Sequence, residues 1–414
     1  MFFFTKQRIL IWSLVFFIFL LIPIFTGKGF ALSVFIQMAI AIIFALSYNM
    51  LLGQTGLLSF GHAVYYGMGA FIVAHTINFI NAKVIWMPIA LTPLIGGIFG
   101  LFLGFIIGVV TTRKPGTPFA MISLGIAEMF AASALMFTTF FGGEGGISTD
   151  RTSGGPIFGI SMGSQLHVYY VVAFWCFVSI LLMYLITKTP LGKMANAVRD
   201  NPERVKFIGY NPTTIRWMML TLSGFFAGIA GGLYIINYEI VTAEALGIMA
   251  SGNVVLMTFI GGISNFWGPI IGAILVTFLQ SALSSFTHAW LLYFGLLFLI
   301  IILFSPGGIA NIIVLHKPIL EKKLVKEIIP SYSFFVVSLL IFLFGFIGLI
   351  EMLYRMEGLA SGGLVNIFGF KVNPFSLIPW IIFVIAAIFG AFSLRKTYFN
   401  IQDVWKNLRV KLQS

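Results

Sequence analysis

The sequence predicts an all-α, polytopic membrane bundle with broken or re-entrant helices in its core and two extra spans near its C-terminal end. Three observations predict it. Of the 414 residues, 59% are hydrophobic and only 9% charged, whereas soluble domains carry about a quarter charged residues. Apolar runs of about 18 or more residues recur along the chain, long enough to cross a bilayer as helices. The basic excess, a net charge of +12 and a sequence pI near 9.8, is confined to a few loops between those runs. Such loops orient a membrane protein and meet anionic headgroups, so no nucleic-acid partner is expected.

The elements follow in order. Ile9–Phe25, behind Lys6 and Arg8, resembles a signal peptide in outline, but the run is long and no A-x-A site follows, so it is read as a retained span. Ala31–Leu52, Leu57–Ile80, Met87–Thr111 and Thr117–Phe141 come next. The Gly- and Ser-rich interval 142–165, with Glu144, Asp150 and Arg151, is a loop by composition. His167–Thr187 precedes the longest polar interval of the first 304 residues, and Thr213–Asn237 follows it. Three shorter pieces, Ile248–Gly262, Asn265–Ser285 and Trp290–Phe304, precede two last spans, Tyr332–Leu353 and Phe375–Leu394. With the N-terminus inside, 19 of the 24 Lys and Arg residues fall on inner segments. That bias places both termini in the cytoplasm.

Two stretches interrupt the apolar pattern at membrane depth. They are GQTGLLSFGHAVYYGMGAF (53–71) and GGISNFWGPIIGAI (261–274), which share a loose G-x-x-S/N-x-G pattern open to an internal duplication. Broken backbone survives there only where protein or a water-filled cavity satisfies it, and paired interruptions point to a translocation path. The path candidates are therefore Gly53, Gly56, Ser59, Gly61 and His62 in the first stretch, and Gly261, Gly262, Asn265 and Gly268 in the second. Close helix packing explains such glycines equally well.

Glu128 is the one acidic residue deep in a span of this core. A carboxylate there costs roughly 2.5–3.5 kcal/mol on insertion scales, so it should face protein or water. Its small neighbours Gly125, Ala131 and Ala132 suggest a face packed on other helices. It joins the path candidates, with a structural hydrogen bond as the alternative.

The polar interval 188–216 holds six of the basic residues. Pro190 and Pro212 bracket it, Gly192 and Gly209 break it, and its interior reads as a short helix. Met194, Ala197 and Val198 form one side of that helix, with Arg199, Asp200 and Glu203 turned away. This is a docking surface by pattern. The five histidines lack metal-ligand spacing, and the single cysteine, Cys176, lies inside a span. No H-E-x-x-H, C-x-x-C, G-x-S-x-G or P-loop motif occurs. No catalytic residue, metal site or cofactor is expected.

With these residues in view, the chain closely resembles the inner-membrane permeases of branched-chain amino-acid ABC transporters, the LivM-like group. LLGQTGLLSFGHAVYYGMGAF, GTPFAMISLGIAEMF, TPLGKMANAVRDNPERVKFIGYNP, and LSGFFAGIAGGLYIINY with VLMTFIGGISNFWGPIIGAIL carry the match, closed by FSPGGI. The likeness covers about residues 10–315, so the chain divides into a permease core, 1–315, and an extension, 316–414. The resemblance implies a multi-pass permease subunit in a bacterial inner membrane, not an enzyme, importing branched-chain or related small amino acids. Permeases for urea or short-chain amides share the resemblance, and an ion-coupled secondary transporter is the rival class. The partners implied are a second related permease, two cytoplasmic ATP-binding subunits, a periplasmic ligand-binding protein and membrane lipids. It also implies that Lys193, Ala197, Arg199, Asp200, Asn201, Glu203 and Gly209 belong to a loop that couples to the ATPase. Family members usually end near residue 315, so the extension departs from the pattern. It is read as a peripheral addition.

Overall fold

The computed structural model describes residues 6–26, 29–152, 162–287, 289–305, 307–322, 324–356 and 363–413. Among the described residues nine helices are long and apolar enough to cross a membrane, an all-α bundle as the sequence predicts. In chain order the helices are α1 Lys6–Thr26, α2 Phe30–Thr55, α3 Ala63–Asn81, α4 Thr92–Thr111, α5 Thr117–Met136, α6 Thr138–Phe141, α7 Gln165–Lys188, α8 Pro190–Asp200 and α9 Pro202–Phe207. They continue as α10 Pro212–Tyr238, α11 Ile248–Gly261, α12 Gly268–Phe286, α13 Trp290–Phe304, α14 Gly308–Glu321, α15 Val325–Met356 and α16 Leu377–Gln413. The described residues separate into two compact units, one of 1–286 with 294–311 and one of 287–293 with 312–414.

In the first unit α2, α3 and α10 are buried along most of their length and form the centre. What holds α10 against α4 is the absence of side chains. A Cβ on Gly100 would lie 2.2 Å from Gly224 O, and one on Gly228 would lie 2.1 Å from Gly96 O. Glycines 96, 100, 104 and 108 recur every fourth residue: the first two face Gly228 and Gly224 of α10, Gly104 faces the backbone at Leu220 and Thr221, and Gly108 faces the Trp217 ring. In lipid, where apolar surface alone drives no association, such small-residue faces let backbones touch and gain dispersion contacts. One face of α4 is thereby spent on α10, and Leu94, Ile98, Phe102, Phe105 and Ile106 point outward.

The Gly- and Ser-rich interval 142–165 is tied down wherever it is described. Ile147–Ser148 pairs antiparallel with Ile240–Val241. Arg151 donates to Ile236 O and Asn237 O, each at 3.0 Å, and its backbone N–H bonds Glu239 Oε1 at 3.0 Å. Asn78 and Asn81 bond Ser148 O and Asp150 O from α3. The sequence marks this interval as a loop. Its described flanks are a pinned cap on α10, while 153–161 lie outside the described residues.

The second unit is built on α15 and α16. A Cβ on Gly345 would sit 2.3 Å from Ala387 N, so these two helices also meet backbone to backbone. Between them Val365–Ile367 and Phe370–Val372 form an antiparallel hairpin. Glu351, nearly buried, accepts from Arg355 Nε at 2.9 Å and from Tyr293 Oη at 3.1 Å. Tyr332 Oη joins His316 Nε2 at 2.8 Å and Trp405 Nε1 at 3.1 Å.

Candidate functional site

The site grows from the end of α2. The chain leaves this helix through Gly56 at φ +71°, a left-handed position that glycine occupies without strain. The segment from Leu57 to His62 then runs as non-helical chain, largely through the interior. Its freed amides are met by two serines from elsewhere. Phe60 N–H donates to Ser123 Oγ of α5 at 3.0 Å, and Ala63 N–H to Ser251 Oγ of α11 at 3.1 Å. Gly61 lies so close to α5 that a Cβ would stand 2.2 Å from Ser123 O. Here the rule that broken backbone needs a protein partner is met by side chains.

The second interruption is tighter. α11 ends at Gly261, Gly262 turns at φ +113°, and Gly268 N–H bonds Asn265 O at 3.1 Å. A Cβ on Gly261 would be 2.0 Å from Gly268 O, and one on Gly272 would be 1.8 Å from Met257 O. The two interruptions meet. A Cβ on Gly53 would lie 2.7 Å from Ile263 O.

The polar loop reaches the same point. Its interior is two short helices rather than one, each opened by proline at its first position and a capping side chain. Thr189 Oγ1 accepts from Gly192 N–H at 3.3 Å, and Asn201 Oδ1 accepts from the N–H groups of Glu203 and Arg204 at 3.1 and 3.0 Å. α8 packs on α2, α7 and α10. Gly192 lies against the backbone at the end of α7, where a Cβ would meet Ile186 O at 2.3 Å. This contact rotates α8, so its buried face is Gly192, Ala195 and Val198, with Met194 and Ala197 half-buried. The rotation corrects the sequence reading of Arg199. It is not simply turned away: its Nη1 donates to Gly53 O and its Nε bonds Asp200 Oδ1 at 2.9 Å. A Cβ on Gly56 would lie 3.3 Å from Arg199 Cγ.

Gly53 is thus held by Arg199 from the loop and abutted by Ile263 from the second interruption. The sequence placed these three residues in separate groups, and no periodicity signals their meeting. Ser123 and Ser251 were also missed. They read as ordinary small residues of a span until the amides they satisfy are in place.

The other sequence-predicted residues are distributed as follows. Lys193, Asp200 and Glu203 are exposed on the loop, Asn201 serves as cap, and Gly209 turns the chain at φ +89° after α9. Beside it Phe207, Ile208 and Tyr210 stand out as apolar groups, Phe207 with 89% of its surface exposed. Ser59 is buried, and His62 is wholly enclosed. Its ring stacks on Phe44 at 5.5 Å, meets Tyr48 and Tyr65 edgewise, and places Nε2 2.9 Å from Ser47 Oγ.

Glu128 requires a correction. α5 buries Ala120, Ser123, Ala127 and Ala134, because Ser123 must reach the first interruption. Glu128 and Gly125 therefore lie on the opposite, exposed face, and nothing stands within 4 Å of a Cβ on Gly125. Among the described residues Glu128 has no hydrogen bond or ion pair. Nor does any of the ten path candidates line the polar cavity between α2, α3, α10, α11 and α12.

Nine candidate spans, two interruptions meeting inside them and a capped polar loop bonded to their junction define a multi-pass membrane protein of the transport-permease class. A family model for the permease component of branched-chain amino acid transport systems matches residues 30–306, and the chain belongs to that family. It is similar to the high-affinity branched-chain amino acid transport system permease protein LivM of Salmonella typhimurium, 26% identical over 308 residues, covering 69% of this chain and 71% of the relative. The LivM of Escherichia coli is 27% identical over 293 residues, covering 65% and 67%. A probable LivM of Methanocaldococcus jannaschii is 25% identical over 334 residues, covering 69% and 93%. No solved structure matches.

Proposed function

We propose that this chain is the membrane subunit of an ATP-driven importer for branched-chain or closely related small amino acids, seated in a bacterial inner membrane with both termini in the cytoplasm. The observation that carries the proposal is the junction at Gly53. A loop rich in basic residues is pinned by one guanidinium to the residue where two broken segments meet. Displacement of α8 and α9 by a partner would therefore pull directly on both interruptions. Two short, capped helices transmit such motion as a rigid body. The exposed tip of Phe207, Ile208 and Tyr210, with Arg204 and Lys206 beside it, offers that partner an apolar knob and charges to set its choice. We assign the partner as a cytoplasmic ATP-binding subunit, of which two would serve the complex.

A second, related permease is assigned to the exposed face of α5. A carboxylate at mid-span is costly against lipid. A second subunit that brings a hydrogen-bond donor to Glu128, over the small surface of Gly125, would relieve that cost. A periplasmic ligand-binding protein would deliver the solute and do most of the selecting, so urea and short-chain amides stand as alternative cargoes.

The test is gentle purification of the tagged chain with identification of its stoichiometric partners, then uptake in proteoliposomes. Recovery of a P-loop ATPase and a second permease, with uptake of leucine that requires ATP, is the expected result. Active transport by this chain alone on an ion gradient would overturn the proposal.

A further inference from the structure

The first unit holds a part-open cavity of ≈ 490 Å³ between α2, α3, α10, α11 and α12. It falls in the size range of small-molecule sites. Its walls have two chemistries. One is an aromatic ladder: Phe44 stacks on Tyr66 at 4.5 Å, Tyr66 meets Tyr234 at 5.6 Å, and Tyr234 meets Tyr238 at 4.6 Å. The other is polar and neutral, with the amides of Gln37, Asn253 and Gln280 and the hydroxyl of Thr277. Among the described residues no acidic, basic or histidine side chain lines the cavity. Thr277 is only 6% exposed, and its Oγ1 has no partner among the described residues. Leaving a buried hydroxyl unmet is unfavourable, so rotation of this side chain toward a guest that bonds it is favoured.

The floor is as telling as the walls. Phe44 lines the cavity, and its ring stacks on Tyr66 and also on His62. His62 Nδ1, behind it, is again without a partner. Two rings, Phe44 and Tyr66, thus separate the cavity from polar groups that lead along α2 toward Gly53.

We propose that this cavity is a solute site for small molecules of no net charge that join a polar head to an apolar body, and that Phe44 and Tyr66 close its floor. The amides and hydroxyls solvate both ends of a zwitterionic head, while the aromatic faces receive an aliphatic side chain. Glu244 acts on Tyr234 from outside the lining, and among the described residues no charged side chain lies in the walls themselves. A solute with net charge therefore finds no counter-ion in direct contact and leaves its hydration uncompensated. Neutral dipoles also bind weakly enough to release what they take up, which conduction requires. The proposal rests on the transport reading above and adds to it the place and the chemistry of the site.

The experiment uses the one native cysteine to advantage. Cys176 is buried in α7, and Cys176→Ala gives a background into which Ser281→Cys places a thiol on the cavity wall. In the purified complex, labelling of that thiol by a small methanethiosulfonate is followed with leucine, aspartate or lysine present at equal concentration. Leucine is expected to slow labelling at least threefold and the two charged amino acids less than 1.5-fold. No protection by leucine, or equal protection by all three, overturns the proposal. In the same complex Thr277→Val is expected to lower the initial rate of leucine uptake at least fivefold and Thr277→Ser to restore it to within twofold, with co-purified partners unchanged. Parental uptake in Thr277→Val also overturns it. Labelling needs no ATP, so a parent complex without ATP-dependent uptake counts against the transport reading alone, and protection still decides the cavity.

Discussion

Arg199 and Asp200 are neighbours in sequence with opposite duties. The Asp200 carboxylate is exposed and its pair with Arg199 is open to water, the kind of ion pair worth about 0.2–1 kcal/mol. Arg199 instead bonds a carbonyl in the last turn of α2. Asp200→Asn is therefore expected to leave uptake within twofold of the parent, whereas Arg199→Ala lowers it at least tenfold with the complex still assembled. Radiolabelled leucine uptake in proteoliposomes, with co-purification as the assembly control, separates the two. Gly53 carries a related expectation. Any side chain there meets Ile263 O at 2.7 Å, so Gly53→Val should abolish uptake and lower the melting temperature of the purified protein. At this scale the sequence was informative about identity and silent about partners. Arg199 and Gly53 were both singled out, yet a guanidinium reaching a carbonyl 146 positions away leaves no trace in composition or spacing.

The elements were the most legible scale, and their faces the least. Each predicted span overlaps a helix, because an apolar run of sufficient length has few alternatives in lipid. Thr117–Phe141, however, divides at Phe137 into α5 and α6, and the first predicted span is not among the nine candidate crossings of the described residues. Boundaries moved where a specific contact ended the helix. The third span begins at Ala63 rather than Leu57, since the non-helical segment before it is held by Ser123 and Ser251. Which face is buried was harder to read, because helices in lipid carry apolar residues on every side and periodicity weakens. Glu128 was misplaced for that reason, and the four-residue glycine repeat of α4 was the signal overlooked. The repeat has a direct test. Gly100→Leu forces side-chain atoms into the backbone of α10, and overpacking of this kind costs about 1–3 kcal/mol or more. A clear loss of stability is expected in denaturant unfolding of the purified protein. Gly125→Leu on the open face of α5 should leave the isolated subunit unchanged and weaken its pairing with the second permease.

For the whole molecule, the family match ends at residue 306, and the second compact unit supplies its own glycine-mediated helix pair, hairpin and polar clusters. A unit with its own internal packing is dispensable to the first if it only adds to it. Deleting everything after Val314 is therefore expected to leave the ATPase and second permease co-purifying with the truncated chain, and their loss would assign the extension a part in assembly. The central claim is that the loop drives the two interruptions through Arg199 and Gly53. It is tested most directly by the ratio of leucine transported to ATP hydrolysed in proteoliposomes, compared between the parent complex and Arg199→Ala. The expected result is a ratio at least tenfold lower in the variant with ATPase subunits bound in parental amounts, hydrolysis uncoupled from transport. A parental ratio in Arg199→Ala would contradict the claim.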